Sequence, residues 1–185
     1  MLTNLYFVRH AHSIYSSDES GRPLSQKGLA DVKKVIDLLN KENIHVVISS
    51  PYKRAIQTVK EVGLKSSREI IIDNSFKERM LSKNAVEDFQ TAISKLWEEP
   101  SFSWEGGESN LIAQKRGVYA TLNTLERFKG KNIVVGSHGN LIALIMNYFD
   151  KQYDLNFWRG LDMPDIYKLS FDKTVLKEVV KIWHR

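Results

Sequence analysis

The chain has no cysteine among its 185 residues, so neither a disulfide framework nor a thiolate metal or redox centre can be built from it. It also lacks a long apolar run, since no stretch approaches the ~18 residues that a membrane-spanning helix requires. The first residues carry no basic segment ahead of an apolar core and no small-residue cleavage site, which reads as a cytoplasmic protein without membrane attachment. No linker, repeat or low-complexity tract interrupts the sequence, which predicts a single domain over residues 1–185. Acidic clusters at ligand spacing are missing too, so neither a metal nor another cofactor is expected.

Excess charge is modest. The formal net charge is +5, from 27 Lys and Arg against 22 Asp and Glu, enough to raise the local concentration of anions. The lysines are scattered (Lys33, Lys34, Lys60, Lys65, Lys129, Lys131, Lys177, Lys181), and no basic stripe is interleaved with aromatics. Nucleic acid is therefore not an expected partner. With 42% hydrophobic and 26% charged residues the chain reads as an ordered globular protein. Oligomeric state has no signature here.

What is present is an alternation of short apolar runs and amphipathic stretches. Leu5 to Val8 is wholly apolar, as a strand covered by helices on both faces must be. Ile44 to Ile48, Glu69 to Asp73 and Asn132 to Gly136 read the same way. Between them, Ser25 caps a helix running through Asn40, and Ser50 with Pro51 at the first helical position starts a second. Ala85 to Trp97 forms a third, with Phe89, Ile93, Leu96 and Trp97 on one face. A fourth runs from Ser109 to Phe128 with Gly130 as its stop, and a fifth from Leu141 to Phe149. The tail, Ile166 to Phe171 and Val175 to Trp183, reads as an antiparallel hairpin. These elements predict an α/β fold, a three-layer α/β/α sandwich whose mostly parallel sheet ends in an antiparallel C-terminal edge.

In an open α/β sheet, ligands bind beyond the carboxyl ends of the strands. Arg9-His10 stands at such an end, Arg54 lies in the first turn of the helix after the second strand, and His138 ends a strand where a helix begins. Free amides and the helix dipole favour an anion at that last position. Arginine forks bind two oxygens at once and stay charged.

Arg9-His10-Ala11, then Ser49-Ser50-Pro51 with Arg54, Gln57 and Thr58, the isolated Glu78, Gly107-Glu108-Ser109 and Ser137-His138-Gly139 resemble the histidine phosphatase superfamily, the phosphoglycerate mutase-like family. They stand in the family's order and at its usual intervals. The resemblance implies a histidine acid-type phosphatase, a phosphoric monoester hydrolase acting on a small phosphorylated substrate without a metal. It assigns the nucleophile, through a phosphohistidine, to His10 and the general acid to Glu78. It further implies that His138 supports the transition state, that Arg9 and Arg54 bind the phosphate, and that the amides of Gly139 and Asn140 assist.

The sequence departs from the family's pattern at two places. Ser16 stands where members commonly carry an asparagine that reaches the phosphate, and its hydroxyl has a shorter reach. After Glu78 the run Arg79-Met80-Leu81-Ser82-Lys83 replaces the common glycine and Trp-Glu-Gly, so the pocket wall is this chain's own. His12, two residues beyond His10, reads as substrate-facing or as backing the site. The loop from Glu98 to Glu108 lies at the mouth, where its aromatics either face substrate or, as the more common role, pack onto the domain. Phosphoglycerate mutases resemble the chain too, but their added segments are not evident here. A phosphatase is the leading reading, with a mutase or a catalytically weak phospho-ligand binding module as alternatives.

Overall fold

The computed structural model describes residues 1–65, 69–84 and 86–185. In chain order its elements are β1 (Thr3–Arg9), α1 (Gln26–Leu39), β2 (Val46–Ser49), α2 (Lys53–Lys65) and β3 (Ile71–Ile72). There follow α3 (Phe89–Glu98), α4 (Asn110–Arg127), β4 (Asn132–Ser137), α5 (Gly139–Phe149), α6 (Leu155–Arg159), β5 (Asp165–Asp172) and β6 (Val175–Lys181). Among the described residues the strands form one sheet in the order β3-β2-β4-β1-β5-β6. Its first four members are parallel, and β5 and β6 are antiparallel additions.

Strand β1 explains the layering. Leu5, Tyr6, Phe7 and Val8 are fully buried, but they point alternately to opposite faces. Leu5 and Phe7 join Ala113, Ala120, Leu141, Ile142 and Ile145 from α4 and α5. Tyr6 and Val8 join Val32, Val35, Ile36, Val59 and Val62 from α1 and α2. One apolar run thus anchors both helical layers, which is the three-layer sandwich the alternation predicts.

Several boundaries differ from the sequence reading. Pro51 does not open α2, which begins at Lys53 after a bend; Ala55 and Ile56 N–H instead bond Tyr52 O at 2.9 and 3.1 Å. The third strand shrinks to two residues because Asp73 turns the chain, its carboxylate accepting from Ser75 N–H at 2.7 Å. Helix α3 starts at Phe89 because Asp88 caps it at Gln90 and Thr91, and Phe89 is exposed rather than on the buried face. Ala85, the expected start of that helix, lies outside the described residues. Helix α5 begins earlier than expected, at Gly139, with His138 as its cap. The short α6, capped by Asp154, had no separate expectation.

Register positions the site. Arg9 stands beside Ser137 of β4 on one side and Asp165 of β5 on the other. His10 N–H bonds Ser137 O at 3.0 Å and Ser50 N–H bonds Gly136 O at 2.8 Å. The chain segments leaving β1, β2 and β4 are therefore tied together at one end of the sheet.

Candidate active site

His10 stands at the carboxyl end of β1. It is 7% exposed, and its Nδ1 donates to Ala11 O at 2.8 Å. Arg54 Nε donates to its Nε2 at 3.1 Å. Together these bonds place the proton on Nδ1 and the lone pair on Nε2. Burial, with the Arg54 guanidinium next and then those of Arg9 and Arg22, pushes the His10 imidazole down to about 3, the Ala11 carbonyl opposing. It is neutral at pH 7. The Ala11 carbonyl is itself held, because Ala11 N–H donates to Thr58 Oγ1 at 3.0 Å and Thr58 donates to Arg54 O at 2.7 Å.

His138 is wholly buried, its ring centroid 5.2 Å from that of His10 and 5.0 Å from that of Tyr52. Its Nε2 lies 2.8 Å from Ser50 Oγ, which already accepts from Tyr52 N–H at 3.2 Å. His138 Nε2 and Ser50 Oγ thus share one hydrogen bond, and His138 Nδ1 is buried without a partner among the described residues. Burial first, then His10, Arg54, Arg9 and Arg116, hold this imidazole well below its ordinary value. Ser50 was read from sequence as a helix cap. Its role beside His138 went unseen because the partner is distant in sequence and only the β2–β4 pairing brings them together.

The two expected arginines are present but differently engaged. Arg54 Nη1 and Nη2 donate to Glu19 O and Oε1, each at 2.6 Å, and its guanidinium lies 4.9 Å from the Tyr52 ring centroid. Arg9 Nη1 donates to Leu161 O at 2.8 Å and Asp162 O at 3.2 Å, while its Nε is buried without a partner among the described residues. Gly139 is needed for this packing, since a Cβ there would stand 2.7 Å from Arg9 Nε. Neither Glu19 nor the two carbonyls had a sequence signal, one lying in a polar loop and the others being backbone.

Glu78 reaches the same end of the sheet. Its Oε2 accepts from Asn140 N–H at 3.2 Å in the first turn of α5, and its Oε1 from Arg79 N–H at 2.8 Å. The Asn140 amide, expected to face an anion, thus holds a carboxylate of the chain itself. The segment carrying Glu78 is fixed by Arg116, which pairs with Glu108 at 2.6 Å and donates to Ser75 O at 2.7 Å and Lys77 O at 3.1 Å.

Other expected residues sit further out. Ser16 is in the polar loop, its Oγ accepting from Asp18 N–H at 3.2 Å. His12 is exposed and its Nδ1 pairs with Ser25 Oγ at 2.8 Å, so it braces the cap of α1 rather than facing the cluster. Phe102 and Trp104 pack edge to face at 4.8 Å, with Lys95 over Phe102 at 4.3 Å, as expected for packing aromatics. Among the described residues no group of His, Cys, Asp or Glu is arranged to hold a metal ion.

Two buried neutral imidazoles, two guanidiniums and a carboxylate converging at strand ends are a constellation for phosphoryl chemistry. A family model described as histidine phosphatase superfamily (branch 1) matches residues 5–180. The chain belongs to that superfamily. Among curated proteins, phosphoserine phosphatase 1 of Hydrogenobacter thermophilus is 28% identical over 152 residues, covering 74% of this chain and 71% of that protein. The mycobacterial glucosyl-3-phosphoglycerate phosphatase structure superposes with a TM-score of 0.77 at 18% identity, covering 98% of this chain and 97% of the other. A phosphoserine phosphatase mutant from Entamoeba histolytica, solved with phosphoserine, gives 0.75 at 19% identity over 96% of each chain. The likeness to these structures carries the fold, and superfamily membership with the curated relative supports phosphatase activity. Among the described residues no helix is long and apolar enough to cross a membrane.

Proposed function

We propose that the chain is a metal-independent, acid-type phosphomonoesterase that works through a phosphohistidine on His10. The observation that carries this reading is the His10 tautomer: a buried neutral ring with its lone pair on Nε2, directed at Arg54. Such a nitrogen is a nucleophile that needs no base to activate it.

In the first step His10 Nε2 attacks phosphorus, the P–O ester bond breaks, and Glu78 gives its proton to the leaving alkoxide. In the second, Glu78 takes a proton from water, the water oxygen attacks phosphorus, the P–N bond breaks, and neutral His10 and inorganic phosphate result. The Nδ1–H bond to Ala11 O favours the positive charge that the ring carries between the steps. Arg9, Arg54 and His138 serve as donors to the phosphoryl oxygens as their charge shifts in the transition state. The Gly139 amide belongs to the same set, and Ser16 joins it through a movement of its loop. The relatives' names point to small phosphorylated carboxylates, and phosphoserine is the first substrate to try.

Mixing enzyme with ³²P-labelled substrate and quenching should trap an acid-labile, base-stable label on the protein. His10→Ala should abolish the label and lower kcat by at least about 10³-fold. Turnover retained in that variant would overturn the reading, and inhibition by EDTA would overturn its metal independence.

A further inference from the structure

Asp165 is 1% exposed and takes no part in the steps above. A buried carboxylate is costly unless its oxygens are hydrogen-bonded and its charge is matched. Both conditions are met. Oδ1 accepts from Ile166 N–H at 3.0 Å and Oδ2 from Asp162 N–H at 2.9 Å. Lys181 Nζ stands 3.1 Å from Asp165 Oδ2 and 3.3 Å from Asp162 Oδ2, and Arg185 Nε stands 3.1 Å from Asp162 Oδ1. Lys181 of the C-terminal hairpin and Arg185 beyond it thus clamp the 161–165 turn at two carboxylates.

The turn faces Arg9, the register partner of Asp165 across β1 and β5. Its Leu161 and Asp162 carbonyls both accept from Nη1 of Arg9. With Nη1 so engaged, the guanidinium keeps its Nε and Nη2 edge for a second partner, and Nε is buried and unpaired among the described residues. That edge is a bidentate fork for two oxygens of one anion. Burial lowers the Arg9 pKa, and the charge of Glu78, then those of Asp165 and Asp162, oppose it.

We propose that Asp165 is a positioning residue for phosphate binding: by holding the Asp162 peptide it sets the two carbonyls that turn the Nε and Nη2 edge of Arg9 toward the phosphoryl group. It acts through Arg9 alone, and it rests on the phosphatase reading in which Arg9 binds phosphate. Asparagine at 165 would set an amide NH₂ against one of the two backbone donors and remove the charge that Lys181 and Arg9 share.

Calorimetric titration with inorganic phosphate tests this without turnover. Asp165→Asn should weaken phosphate binding about tenfold, the size expected for losing one charge-assisted bond behind the ligand-binding group. The same tenfold loss should appear on an Arg54→Ala background and shrink below about twofold on an Arg9→Ala background, whereas a general loss of structure would weaken both alike. Should Asp165→Asn not fold, Lys181→Met serves in its place, with an expected loss of about threefold that again requires Arg9. Unchanged affinity in the folded variant, or a loss that persists without Arg9, overturns the inference. A wild-type protein that binds no phosphate overturns the functional reading itself, and is told apart by needing no variant.

Discussion

The floor of the site and its rim are held by different means. On the floor, His10, Arg54 and His138 are buried, and each is bonded to groups that the sheet or the first turn of a helix already fixes. On the rim, the 14–22 loop and the 81–84 segment carry short local bonds, Ser16 and Ser20 with Asp18 and Asn84 N–H to Ser82 Oγ, beside a few ties outward such as Lys83 N–H to Glu105 O and Lys53 N–H to Ser20 O. Two rim carboxylates reach inward, Glu19 onto Arg54 and Glu78 onto Asn140 N–H. The difference teaches that the sheet and helix ends fix where the floor groups stand, while the donors of Arg54 and of the Asn140 amide are held by the rim residues Glu19 and Glu78, which an anion would have to displace.

That contrast can be broken most sharply at Glu78. Glu78→Gln should lower kcat/KM for alkyl phosphates by about 10²–10³-fold while sparing p-nitrophenyl phosphate, whose leaving group needs no proton. Steady-state assays with both substrates check it, and equal losses would remove Glu78 from acid catalysis.

Next comes the acid response of the floor. The folded His10 value is about 3 against 6.5 for the free side chain, so between those pH values the unfolded chain binds a proton that the native one refuses. The contribution of His10 to stability is therefore full above pH 6.5 and falls progressively as pH drops toward 3, with His138 adding in the same direction. Calorimetric Tm measured from pH 7 to pH 4 should fall less steeply in His10→Asn than in wild type.

Smaller effects should follow at the boundary of floor and rim. Ser50→Ala removes the hydroxyl bonded to His138 Nε2 and should lower kcat about tenfold, with the imidazole ¹⁵N shifts of His138 reporting the change. Glu19→Gln removes the carboxylate bound to Arg54 and should tighten inhibition by inorganic phosphate about two- to threefold. Ser16→Ala should lower kcat/KM about twofold through loss of the hydroxyl that its loop brings to the phosphate, and an unchanged kcat/KM would leave that hydroxyl with Asp18.

Much of this was legible because it is local. The apolar run before Arg9 and the strand-to-helix junction at His138 are short-range patterns, and both residues sit where those patterns put them. Ser50 was misread because a serine before proline is also a good helix start, and Pro51 lies in a bend before α2 instead. The Ala11, Leu161 and Asp162 carbonyls were invisible, since a backbone oxygen carries no residue-specific mark.

The amino-acid order by itself determined which residue types stand at the strand ends, and with them the chemistry that a phosphate ester would meet. Only the folded chain decided which nitrogen of His10 carries the proton, which donor of Arg9 is taken, and that Asp165 stands behind that arginine. Those outcomes depend on hydrogen bonds between segments brought together by sheet register, and register is a property of the whole packed core.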